Sequence, residues 1–190
     1  MSTADLNQAL TAPGRLVINP TDKTAAFPYG GTQLGEVREV RTVITGGWFD
    51  VEAEEFGGAI VESVWSGENI ALGCYLRQFD ETAGATVFPN TKTTGTSKRV
   101  AITSYNDAAS PVRPGHLLSS RGVKLLFVPF DVDRVRCVYF NRALPRTNES
   151  MTLQRALGIR EEIPALFLAV PKSSSSMLTY QIDFLRDLTL

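Results

Sequence analysis

Histidine and cysteine are scarce in this chain: one histidine and two cysteines among 190 residues. His116 lies beside Pro114 and Gly115 in an irregular stretch. Without a second imidazole or a CxxC pair, the usual zinc-binding sets cannot be assembled. No serine sits in a GxSxG elbow, so a triad through His116 has no recognisable nucleophile. Cys74 and Cys137 each fall inside an expected strand, where a free thiol is ordinarily buried and inert. Two such residues do not make a disulfide scaffold, and they fit a reducing compartment.

Long apolar runs are also missing. Nothing approaches the roughly 18 residues of a membrane helix. The opening MSTADLNQALTAPG has neither the basic nor the apolar region of a signal peptide. The expectation is a soluble protein made in a cytoplasm. A net charge of −1, from 19 basic and 20 acidic residues, calls for neither nucleic acid nor an anionic membrane as partner. No GxxxxGK[ST] loop occurs, and GGTQLG lacks the strand–helix context of a dinucleotide site. The adjacent carboxylates Glu54-Glu55 and Glu161-Glu162 would point to opposite faces of a strand and so make no dyad. Asp131 and Asp133 are spaced like a fragment of a calcium loop whose remainder is absent. No catalytic residue, metal ligand, cofactor or small-molecule substrate is expected.

What the chain does have is alternation. Glu55–Asp80 reads as a hairpin: a first arm Ala59–Trp65, a turn at Ser66-Gly67-Glu68-Asn69, and a second arm Ile70–Phe79. In the second arm Ile70, Leu72, Cys74 and Leu76 share one face, while Ala71, Gly73, Tyr75, Arg77 and Phe79 share the other. Both faces are partly apolar, so something must cover each. Glu36–Thr45 is a charged strand whose imperfect alternation suggests a bulge or an edge position, with Gly46-Gly47 turning the chain after it. Further strands are expected at Arg15–Ile18, Val100–Ser104, Val123–Val128, Val135–Phe140, Ile163–Val170 and Leu178–Phe184. A helical turn is expected at Asp80–Thr86 and a short helix at Thr147–Leu157, stopped by Gly158. Asn19–Gly35 and Asn90–Arg99 read as loops.

The fold class is therefore all-β, mainly antiparallel: a sandwich or barrel with one short flanking α-helix and long loops. One domain spans 1–190, with an N-terminal arm over 1–13 and an irregular insert over 84–121. Charge is unevenly spread. Asp50, Glu52, Glu54 and Glu55 cluster without a cation, and Arg134, Arg136, Arg142 and Arg146 make a basic region. These are either solvated faces or complementary patches meeting between subunits. A nucleic-acid groove is a third reading, since Tyr139 and Phe140 interleave with the arginines.

The ending LLFVPFDVDRVRCVYFNRALPRT…YQIDFLRDLTL and the hairpin GGAIVESVWSGENIALGCYLRQFD resemble tail-tube-like virion proteins of tailed bacteriophages, over residues 35–80 and 122–190. The resemblance implies a virion structural protein and no enzyme. Its subunits would form six-membered rings that stack into a tube, with DNA passing through the lumen. The partners it implies are further copies of the chain and other tail or neck proteins, with no membrane. It places Asp50, Glu52 and Glu54 on the channel wall, where repulsion of phosphate suits a conduit. Arg134, Arg136, Tyr180 and Ile182 are the expected subunit-interface residues, and Leu178–Phe184 an edge with only Asp183 to blunt it. A neck or tail-terminator ring protein, or a monomeric barrel that binds a ligand or partner, are the alternatives.

Overall fold

The computed structural model describes residues 13–77, 86–87, 91–94, 101–104, 122–146, 154–156, 160–171 and 179–190. Among them run ten strands. β1 is Gly14–Ile18, β2 Thr32–Ala53, β3 Ala59–Leu76, β4 Thr91–Thr94 and β5 Ala101–Ser104. β6 is Val123–Pro129, β7 Cys137–Pro145, β8 Gln154–Ala156, β9 Arg160–Ala169 and β10 Tyr180–Asp183. All register pairs are antiparallel. The order β10-β7-β6-β1-β2-β3-β9-β8 closes on itself through a further pairing of β7 with β9. Six strands therefore make a barrel, and β4–β5 form a separate ribbon.

Along one edge of β7, β10 pairs over Cys137–Phe140 and β9 over Ala143–Pro145. Closure seals the inward side chains away from water. Leu16, Leu72, Phe140 and Phe167 are fully buried there, with Cys74 among them. A second apolar cluster lies on the outer side of β1, β6 and β7. Val17, Leu126, Cys137 and Tyr139 are covered by Leu188 of the C-terminal segment. Lys23 holds that segment by donating from Nζ to the carbonyls of Arg186 and Leu188, at 2.6 Å each.

The two thiols thus occupy different clusters and are free. Burial pushes both up to about 12 from 9.0, with a backbone hydrogen bond at Leu185 slightly opposing it for Cys137. A thiol that stays protonated in the fold but ionises when unfolded favours the fold only at lower pH. Its contribution is complete below pH ~9 and is lost as pH rises toward ~12, at up to about 1.4 kcal/mol per pH unit per thiol. Tyr29 and Tyr139, raised by burial, act in the same direction. The urea midpoint is expected to be flat from pH 7 to 8.5 and to fall by pH 10.5. Replacing Cys74 and Cys137 by alanine should make that fall shallower.

Several expectations are corrected. β3 runs unbroken from Ala59 to Leu76, so Ser66–Asn69 is not a turn, and β2 likewise passes straight through Gly46-Gly47. The two glycine stretches lie opposite each other, Gly46 against Glu68 and Gly47 against Gly67. They form a bulged waist within one long hairpin, with Gly67 at φ 117°. The reversal is at Glu54–Gly58, where Gly57 and Gly58 take φ of 73° and 79° that a side chain would resist. On β2 the bulge sits at Glu39, at φ 51°. It turns both Val37 and Val40 into the core, which strict alternation forbids.

The expected helix Thr147–Leu157 is strand at Gln154–Ala156, paired to Glu162, Glu161 and Arg160 of β9. Its other residues lie outside the described ones. No helix of seven or more residues occurs among the described residues. Within the expected loop Asn90–Arg99, Thr91–Thr94 pairs with Ala101–Ser104. Strand β7 starts at Cys137 rather than Val135, because residues 131–136 form a turn held by Asp131. Of the single turn expected at Asp80–Thr86 only Thr86 is described, and it is helical, while His116 and the N-terminal arm up to residue 12 lie outside the described residues.

Candidate assembly interface

The long hairpin projects from the barrel. β1 pairs with β2 only as far as Val37, and β9 pairs with β3 only over Ala71–Leu76. Beyond those points, among the described residues, β2 and β3 have only each other, out to Ala53 and Ala59. Each therefore presents a long row of backbone groups without a ladder partner.

The base of the hairpin is braced. Glu162, buried at the foot of β9, accepts from Arg38 Nη2 and lies 3.9 Å from Arg77 Nε. The hydrogen bond to Glu162 raises Arg38 above the usual guanidinium value. Arg38 also donates to Glu39 at 2.7 Å and stacks 5.6 Å from the Tyr75 ring centroid. Tyr180 donates to Glu68 at 2.8 Å, tying β10 to the hairpin. Losing Glu162 removes the buried acceptor that joins two part-exposed guanidinium groups where the strands meet. Glu162→Ala is expected to lower the urea midpoint clearly, and Glu39→Ala to leave it nearly unchanged, by tryptophan fluorescence.

The distal hairpin is uncovered and apolar. Of ten exposed large hydrophobic residues among those described, nine lie on the hairpin, Val43 and Ile44 on the barrel side of its waist and seven beyond it. Register assigns them to faces. Trp48 opposes Trp65, and Asp50 opposes Ser63, whose hydroxyl donates to it at 2.6 Å. Glu52 opposes Ile60 on the same face. Both indole nitrogens lie within 4 Å of where a Cβ on Gly46 would stand, so the rings converge on that notch. The other face carries Phe49 opposite Val64 and Val51 opposite Glu62. Trp48 and Phe49 are 65% and 68% exposed, so the described residues cover neither face.

Asp50, Glu52 and Glu54 thus stand together on the distal hairpin, with Glu54 in the single 3-10 turn at its tip. No lysine or arginine occurs between Thr42 and Leu76. The expected interface residues are elsewhere. Arg134 and Arg136 are exposed beside the β6–β7 turn, Arg134 within 3.8 Å of Asp131. Arg136 and Arg186 stack on Phe184 at 5.9 and 5.4 Å from the ring centroid. Tyr180 and Ile182 are half-buried and lean on the barrel core. Beyond Asp50, Glu52 and Glu54, the sequence does not mark the hairpin's exposed apolar residues, because Gly46-Gly47 and Ser66-Gly67 resemble turns. Gly57-Gly58 was the available signal for the true reversal.

What fold and surface define is a small β-barrel bearing a projecting, two-faced apolar and acidic hairpin. No protein-family model matches the chain, and no curated protein matches it. Among solved structures, it is similar to the tail of an empty GTA particle with C6 symmetry, at a TM-score of 0.45 and 9% identity. That match covers 96% of this chain and 98% of the other. At that distance the likeness fixes neither family nor activity.

Proposed function

We propose that the protein is a structural subunit of a phage-like virion tail, self-assembling into hexameric rings that stack as a tube through which DNA passes. The observation that carries this reading is the uncovered hairpin. A two-stranded ribbon is marginal in water by itself. One that exposes indoles and aliphatic residues on both faces, with two open edges, is an aggregation hazard unless assembly covers it. The resemblance of residues 35–80 and 122–190 to tail-tube-like proteins supplies the kind of assembly. In that arrangement the distal carboxylates Asp50, Glu52 and Glu54 turn toward the channel, and a like-charged wall lets DNA slide. The exposed Arg134 and Arg136 serve contacts at the ring periphery.

The reading requires the protein to be a major virion component. Quantitative mass spectrometry of purified particles from cells that encode it should find it at many copies per particle. Particles that are complete, with tails, yet lack it would overturn the proposal.

A further inference from the structure

The hairpin needs a cover, and the described surface offers little to supply one. Apart from the hairpin, the only large exposed hydrophobic residue among those described is Phe130, and its ring is shared with the Arg15 guanidinium, 5.2 Å from its centroid. A partner surface built from the barrel wall would leave most of the hairpin's apolar groups against polar ones. Nine large residues, each roughly half exposed, leave on the order of 900 Å² open over both faces, so a contact joining one face of each copy buries about that much apolar area in total, close to the roughly 1,000 Å² a specific interface needs before its polar rim is counted.

We propose that the cover is the hairpin of a second copy. The Trp48–Trp65 rung of one copy packs on the Phe49–Val64 rung of the next, and Asp50 and Glu52, nearer the tip on the Trp48 face, stay at the open rim of the contact. Because the two faces differ, the contact is heterologous and propagates to a ring or an open filament, not to a closed dimer. This deepens the self-assembly reading and rests on it.

The charge on the same element sets a sign. Each copy brings Asp50, Glu52, Glu54, Glu55 and Glu62 to the distal hairpin with no cation among them. Stacked hairpins gather these carboxylates, so electrostatics opposes the association that the apolar faces drive. Salt screens exposed charges beyond about 10 Å at 0.1 M and about 3 Å at 1 M. Assembly should therefore strengthen with ionic strength, whereas an interface of complementary patches would weaken.

The test uses the full chain in light scattering at 50 and 500 mM NaCl, with two variants. One carries Trp48→Lys and Trp65→Lys, the other Phe49→Lys and Val51→Lys. Circular dichroism and the urea midpoint confirm that both keep the barrel. Wild type should assemble more than tenfold more tightly at the higher salt. Each variant alone should stay monomeric, since one face of every contact is spoiled. Mixed, they should give a 1:1 dimer and nothing larger, because one sound face remains on each. Assembly of either variant alone, a mixture without dimer, or wild-type assembly that weakens with salt overturns the hairpin stack while leaving self-assembly standing. A wild type that is monomeric at both salts up to millimolar concentration sinks both.

Discussion

A chain lacking residues 48–66, with Gly47 joined to Gly67 through Asn-Gly, should fold as a stable barrel that does not assemble. Gly47 and Gly67 are paired across the waist, so a two-residue type I′ turn fits between them. Among the described residues the excised rungs pair only with each other, and none of their described side chains is buried in the core. Their removal should change the free energy of unfolding by less than about 1 kcal/mol, in line with other substitutions away from the core. Assembly should be weakened at least 100-fold by light scattering, because the apolar faces go with the rungs. Retained assembly would place the contacts on the barrel wall.

The opposite result is expected at the seam of the barrel. Phe167 is fully buried in β9, with Leu72 of β3 on one side and Pro145 of β7 on the other. It stands where the sheet closes on itself, and Phe167→Ala leaves a cavity that rigid flanking strands cannot fill. A cost of about 3–5 kcal/mol is expected, corresponding to a fall in Tm of about 10 °C for a chain of this size. Phe49→Ala is the matched control. It removes the same ring from the exposed hairpin, so the monomer's midpoint should move by under about 0.5 kcal/mol while assembly is lost. Together the two substitutions separate folding from association.

The all-β class was legible because β1, β6, β9 and β10 carry short alternating or wholly apolar runs bounded by turn residues. The hairpin's length was not. Gly46-Gly47 and Ser66-Gly67 look like turns one strand at a time, and only the cross-strand register shows that they face each other. Imperfect alternation in Glu36–Thr45 allows a bulge or an edge position, but the place of the bulge at Glu39 and its effect on Val37 come only from the pairing with Leu76. Gln154–Ala156 was misread because good helix formers dominate the segment. An edge pairing to β9 overrides that local preference. Barrel closure through β7 and β9 depends on registers between residues over 20 positions apart, and no local pattern encodes it.

The acidic cluster was visible as composition from the start, but its place at the tip of an uncovered arm was not. That placement changes the question from which groups react to which surfaces meet. Electron microscopy of the concentrated protein, beside the variant lacking residues 48–66, tests the central claim most directly. Wild type should show six-fold rings or stacked tubes with an open central channel, and the variant only separate barrels. Rings of the same form in both samples, or separate particles in both at millimolar concentration and 500 mM NaCl, would contradict an assembly built on the hairpin.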